Sequence, residues 1–148
     1  KHSIPSMGGT LYFYKKKLKD EFFGKTPAEL IELRKQNVEI TREVYDPLVS
    51  FTGDCLGESL LDNRDVFKSK VLITECTFLD DGEEQMAHQK GHTHIADIVR
   101  ALNELDSDVK CDMIILNHFS MKYAEKHIRE RIAKEIPAQF SDKVVALI

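Results

Sequence analysis

Asp54 and His118 each stand just beyond a short apolar run, Asp54 in Val49-Ser50-Phe51-Thr52-Gly53-Asp54 and His118 after Met113-Ile114-Ile115-Leu116-Asn117. A carboxylate and an imidazole delivered this way are donors of the kind zinc takes, and a catalytic zinc keeps one position for a water whose pKa falls to about 7. In open α/β sheets reacting groups gather beyond the carboxyl ends of the strands, which is where both residues are expected. His118 leads into Phe119-Ser120-Met121-Lys122-Tyr123. Ser120 and Lys122 are donors suited to phosphate oxygens, with Lys122 giving a point charge rather than the planar fork of an arginine. Each residue also has an ordinary reading, an Asp in a strand-end turn or a His at a core edge. Their joint order is what points to a site.

Two further motifs lie between them. Glu75-Cys76-Thr77-Phe78-Leu79-Asp80-Asp81 closes another apolar run, and Gly91-His92-Thr93-His94 opens a helix that Thr93 is suited to cap. Taken alone, Glu75 reads as a strand-end charge and His92 as a helix-start residue. His94 is expected to pack or to face solvent, and no role is assigned to His88 or His127.

The elements that must position these residues alternate. Strands are predicted at Gly9 to Tyr14, Leu48 to Phe51, Val71 to Cys76, Met113 to Leu116 and Val144 to Ile148. Helices are predicted at Pro27 to Lys35, Glu58 to Phe67, Ala96 to Leu105 and Ala124 to Glu135. Strands separated by helical patterns give an α/β layered domain. Thr26-Pro27-Ala28-Glu29 forms a capping box with proline at the first helical position, whereas Ile95, Ile98, Val99 and Leu102 form a core-facing stripe. Asp80-Asp81-Gly82-Glu83-Glu84 reads as a solvated loop. Lys15-Lys16-Lys17-Leu18-Lys19 is the one concentrated basic run, and it is better explained by an edge strand defended against pairing than by a phosphate grip.

Composition narrows the class. The chain has 148 residues, 42% of them hydrophobic, the content of one ordinary domain. No apolar stretch reaches the roughly 18 residues that a membrane span needs. With 21 basic and 25 acidic residues and a formal charge of −4, no global positive field attracts nucleic acid, so any RNA contact must be local. Cys55, Cys76 and Cys111 match neither a zinc knuckle nor a disulfide framework, and no signal peptide opens the chain; an intracellular, cytoplasmic setting is expected, with nucleus or organelle left open.

The ordered set of Asp54, Glu75, His92 and His118 motifs resembles ribonuclease Z, the family of tRNA 3′-processing endonucleases in the metallo-β-lactamase superfamily. The resemblance runs from His2 to about Ala146. It implies half of a four-layer αββα metallo-β-lactamase fold, a single mixed sheet with helices on its outer face and an apolar inner face. The family's His-x-His-x-Asp-His signature lies upstream of everything here, so the chain is expected to be the C-terminal half.

The resemblance further implies a pair of zinc ions, or another divalent metal such as manganese, held by that signature together with His2, Asp54 and His118, with Asp54 bridging. His92, accompanied by Glu75, would assist the leaving oxygen, and Ser120 and Lys122 stand where the family has Ser-Pro-Arg-Tyr. Precursor tRNA is the implied substrate, cut by zinc-activated water to leave a 3′-hydroxyl, and a homodimer is the implied assembly. Two ligands per ion fall short of the three usual at a catalytic zinc, so the chain alone is expected to be inactive. Another phosphodiesterase of the same fold, or a half-domain without catalysis, is the alternative.

Overall fold

The computed structural model describes residues 5–148. His2 lies outside the described residues. The chain divides into two compact units, one made of residues 1–11 with 47–148 and the other of residues 12–46.

One five-stranded sheet carries the strands in the order β1-β2-β3-β4-β5. The strands are β1 (Gly9–Leu18), β2 (Thr41–Phe51), β3 (Val71–Glu75), β4 (Met113–Asn117) and β5 (Val144–Ala146), and the helices are α1 (Pro27–Lys35), α2 (Glu58–Asp62), α3 (Glu84–Lys90), α4 (Ile95–Leu105) and α5 (Glu125–Glu135). β2 to β5 pair in parallel. β1 runs against β2: Thr10 bonds Ser50 at 2.8 Å and Lys15, further along β1, pairs with Asp46, further back along β2. The sheet is therefore mixed, and the α/β class expected from the sequence holds.

The strand order determines where the helices go. Each crossover from β2 to β5 steps one strand in the same direction, and right-handed crossovers then place every connecting helix on one face. That face carries Leu72, Ile114, Leu116 and Val144, buried against Ile95, Ile98, Ala101 and Leu102 of α4 and Ile128 and Ile132 of α5. The opposite face is also apolar. Register places Val49, Val71 and Met113 in one row and Phe51, Ile73, Ile115 and Val145 in the next. Phe51, Met113 and Val145 are exposed and Val49, Val71, Ile73 and Ile115 half-buried. Parallel strands are normally apolar on both faces because both are covered; here one cover is present.

Several elements differ from the sequence reading. β1 is four residues longer than expected and takes in the first lysines, while β2 begins at Thr41 rather than Leu48. The expected second helix stops at Asp62, and Arg64–Lys68 follows as a 3₁₀ turn. Helix α3 begins at Glu84, the last residue of the segment read as a solvated loop. Thr93 does not cap α4. His94 does, its Nδ1 accepting the Ala96 N–H while Asp97 accepts the His94 N–H.

Unit 2 comprises residues 12–46. The Thr26 capping box opens α1 as its sequence predicts, with the Glu29 carboxylate accepting the Thr26 N–H at 2.8 Å. Tyr14 and Tyr45 pack at 5.4 Å between ring centroids.

Candidate metal centre

Four segments meet at the carboxyl edge of the parallel strands. The first leaves β2 through Gly53, whose φ is +65° and where a Cβ would lie 2.8 Å from the Met7 carbonyl oxygen; glycine is needed on both counts, and Asp54 follows. The second leaves β3 at Glu75, with the Cys76 N–H extending the ladder to the Asn117 carbonyl at 2.9 Å. The third is the loop between α3 and α4. Gly91 closes α3 in the left-handed region, and residues 92–94 then run alongside Thr77 and Phe78, fixed by Phe78 N–H to the Thr93 carbonyl and Ile95 N–H to the Phe78 carbonyl. The fourth leaves β4 at Asn117, and His118 turns into the left-handed region with φ 58°. A non-glycine residue held there is strained, and such strain is found at functional sites.

Asp54, His92 and His118 each offer one ligand atom, and these atoms lie within 4.8 Å of one another. His118 Nε2 is 3.8 Å from Asp54 Oδ2, and the rings of His92 and His118 are 5.3 Å apart. The donors are imidazole and carboxylate, those that zinc accepts, and bonds of about 2.1 Å to one ion would separate them by roughly 3.4 Å, within reach of small side-chain movements. Asp54 and His118 are thus brought together as their sequence positions imply, and His92 joins them.

Glu75 is 1% exposed and underlies the cluster. Its Oε1 accepts the Cys55 N–H at 2.7 Å and its Oε2 the Thr93 N–H at 3.2 Å and the Thr77 hydroxyl at 2.6 Å. His92 Nδ1 approaches the same carboxylate at 3.1 Å. A buried carboxylate is stable only when its lone pairs are filled, and here loops from three directions fill them. The partner that sequence reasoning missed is Thr77. Its hydroxyl touches Glu75, His92 and His118, and only its position two residues after a strand-end acid could have signalled it.

Ser120 and Lys122 follow His118 but are differently placed. The Ser120 N–H donates to the Thr77 carbonyl at 3.0 Å, which ties its backbone to the site. The Lys122 ammonium pairs with Glu83, which also accepts from the Tyr123 hydroxyl, and it stands 4.7 Å from the centroid of the Tyr123 ring. Burial works against the charged form of Glu83, yet the bonds from Lys122 and Tyr123 outweigh it and hold the carboxyl below its ordinary range. The same bond to Glu83 raises the Lys122 ammonium. His88 and His127, given no role from sequence, bond Asp97 at 2.9 Å and Asp80 at 2.6 Å. Burial pushes the Cys55 and Cys76 thiols up and Cys111 up to about 11; the three cysteines are free and buried, packing residues rather than thiolate ligands.

A carboxylate and two imidazoles at the carboxyl edge of an α/β sheet, braced by a buried glutamate, define a domain with a candidate metal site. Comparison with known proteins gives the family. The chain is 37% identical, over 99% of its length, to a chloroplastic tRNase Z of Arabidopsis thaliana and equally to a second tRNase Z of that plant. It is 34% identical over 64% of its length to the Ribonuclease Z of Pyrobaculum arsenaticum. The chain belongs to the tRNase Z family. It spans 41% and 51% of the two plant relatives, about half their length or less. No protein-family model matches it. Among the described residues no helix is long and apolar enough to cross a membrane.

Proposed function

We propose that this chain is the C-terminal half of a zinc-dependent endoribonuclease that removes 3′ trailers from precursor tRNA and leaves a 3′-hydroxyl. The observation that carries the reading is the convergence of Asp54, His92 and His118 at one sheet edge in a chain matched almost end to end by tRNase Z relatives. Asp54 and His118 would hold the metal, with Asp54 bridging two ions, and His2 would add a further ligand. Bound zinc would supply a Lewis acid and a water ionised near neutral pH.

The remaining steps belong to the chain's own residues. His92, with Nδ1 on Glu75, would present its other nitrogen as proton donor to the departing 3′ oxygen. Ser120, and Lys122 once released from Glu83, would bind phosphate oxygens. The exposed apolar sheet face would pack against the other half of an αββα metallo-β-lactamase fold, which carries the remaining ligands; the 148-residue chain alone would be inactive. The assembled enzyme would form a homodimer and act in an intracellular compartment, cytosol or organelle.

The test uses the full-length natural protein that contains this chain, incubated with a precursor tRNA bearing a 3′ trailer. Metal-dependent endonucleolytic cleavage at the end of the mature tRNA is expected. Cleavage indifferent to chelation, or none with metal restored, would contradict the reading.

A further inference from the structure

Thr77 sits at the middle of the site, and none of the roles above uses it. It is buried, and its hydroxyl oxygen lies 2.6 Å from Glu75 Oε2, 2.9 Å from His118 Nδ1, 3.0 Å from the His118 carbonyl oxygen and 3.3 Å from His92 Nδ1. A hydroxyl has one proton to give and two lone pairs to receive, so these neighbours decide where the proton goes. Glu75 accepts backbone N–H groups on both of its oxygens, from Cys55 on one and Thr93 on the other. It therefore acts as an acceptor toward Thr77.

A separation of 2.6 Å is that of a hydroxyl donating to a carboxylate, and a proton must lie between the two oxygens. If Thr77 turned its proton to His118 Nδ1 instead, that oxygen pair would face each other without one. Donation to the His118 carbonyl has the same consequence for the ring, because in either case the hydroxyl has only a lone pair left for Nδ1. The bond between the two side chains must then run from His118 Nδ1–H to Thr77.

We propose that Thr77 is a positioning residue that fixes His118 as its Nδ1–H tautomer and leaves the Nε2 lone pair on the Asp54 side of the cluster, where a metal ion is taken up. The geometry at Nε2 agrees, since Asp54 Oδ2 is 3.8 Å away. A metal-binding histidine whose second nitrogen is fixed by a hydrogen bond presents a more basic and better-oriented ligand, and loss of such a partner typically lowers metal affinity by about 10- to 100-fold. This inference rests on the proposed reading of His118 as a ligand, but the tautomer can be observed without metal.

The experiment uses the full-length natural protein, labelled with ¹⁵N-histidine, metal-free and at about pH 8.5, two units above the pKa of free imidazole. Long-range ¹H–¹⁵N spectra report which ring nitrogen of His118 is protonated. In the wild-type protein and in Thr77→Ser the pattern should be Nδ1–H. In Thr77→Val, which keeps the shape and removes the hydroxyl, it should shift toward Nε2–H. Competition titration with zinc should then show Kd raised about 10- to 100-fold in Thr77→Val and close to wild type in Thr77→Ser. An Nε2–H pattern in the wild-type protein, or an unchanged pattern in Thr77→Val, would overturn the proposal. If Thr77→Val fails to fold, the wild-type spectrum still decides, because only Nδ1–H is compatible with it. Absence of zinc binding by the wild-type protein would instead count against the metal reading of the site, with the tautomer result standing separately.

Discussion

The backbone N–H of Cys55 donates to Glu75 Oε1 at 2.7 Å, one residue beyond Asp54. Glu75 therefore acts on more than His92: the carboxylate that bonds His92 also anchors the turn that presents Asp54. Glu75→Gln puts an amide N–H₂ where one oxygen now receives N–H or O–H donors. A buried donor facing donors costs about 1–3 kcal/mol, so the denaturation midpoint should fall and zinc content should drop along with activity. An unchanged midpoint, measured in urea, would show that the anchoring is not as described.

His92→Ala should behave differently. It removes the proton donor but leaves Glu75 its two backbone donors and Thr77. General acid catalysis contributes about 10²- to 10⁴-fold, and kcat on precursor tRNA should fall by that factor with zinc retained. A substrate with sulfur as the 3′ leaving atom should recover most of the rate. The same deficit with sulfur, or loss of zinc, would make His92 a metal ligand or a structural residue.

Lys122 is held by Glu83, and the pH limits of that pairing follow from the shifts. Glu83 is depressed below its ordinary 4.5, so its contribution is present above that value and is lost as pH falls through the lower folded one. Lys122 is raised from 10.5, so its share is complete below that value and disappears as pH rises through the higher folded one. The pair is intact at neutral pH. Glu83→Gln should free the ammonium for RNA and steepen the log-log salt dependence of tRNA binding by about one unit. Lys15→Ala should leave that slope unchanged, because Lys15 pairs with Asp46. No change in the first, or a change in the second, reverses the assignment of the two lysines.

The uncovered sheet face gives a stability test. Ile115→Asp in the full-length protein places a charge in the row formed by Phe51, Ile73 and Val145. If another layer packs there, the charge is buried without a partner and the thermal midpoint should fall by many degrees. A midpoint within a degree or two of wild type would mean that the face is in water.

What could be read from the sequence was local. The apolar runs ending at Phe51, Glu75 and Asn117 marked the parallel strands, and the stripe Ile95, Ile98, Leu102 marked α4, because burial on a fixed period leaves a pattern in the chain. The position of Asp54 and His118 at strand ends followed from them. What escaped was fixed by contacts distant in sequence. Thr77 and His118 are 41 residues apart, and Lys122 and Glu83 are 39. Asp80-Asp81-Gly82-Glu83 carries the composition of a solvated loop and lies outside any helix, yet Glu83 and Asp80 are taken up by Tyr123 and His127. His94 was missed as a cap because histidine rarely takes that position, and only the buried Asp97 three residues on completes it.

The central claim is that Asp54 and His118 hold the metal that the cleavage requires. The direct measurement is zinc per protein, by elemental analysis after dialysis, alongside cleavage of precursor tRNA, in full-length protein carrying Asp54→Ala or His118→Ala. Each substitution should remove one or both zinc ions and abolish cleavage, whereas Lys15→Ala should retain both. Variants that keep their zinc and still cut precursor tRNA would contradict the account.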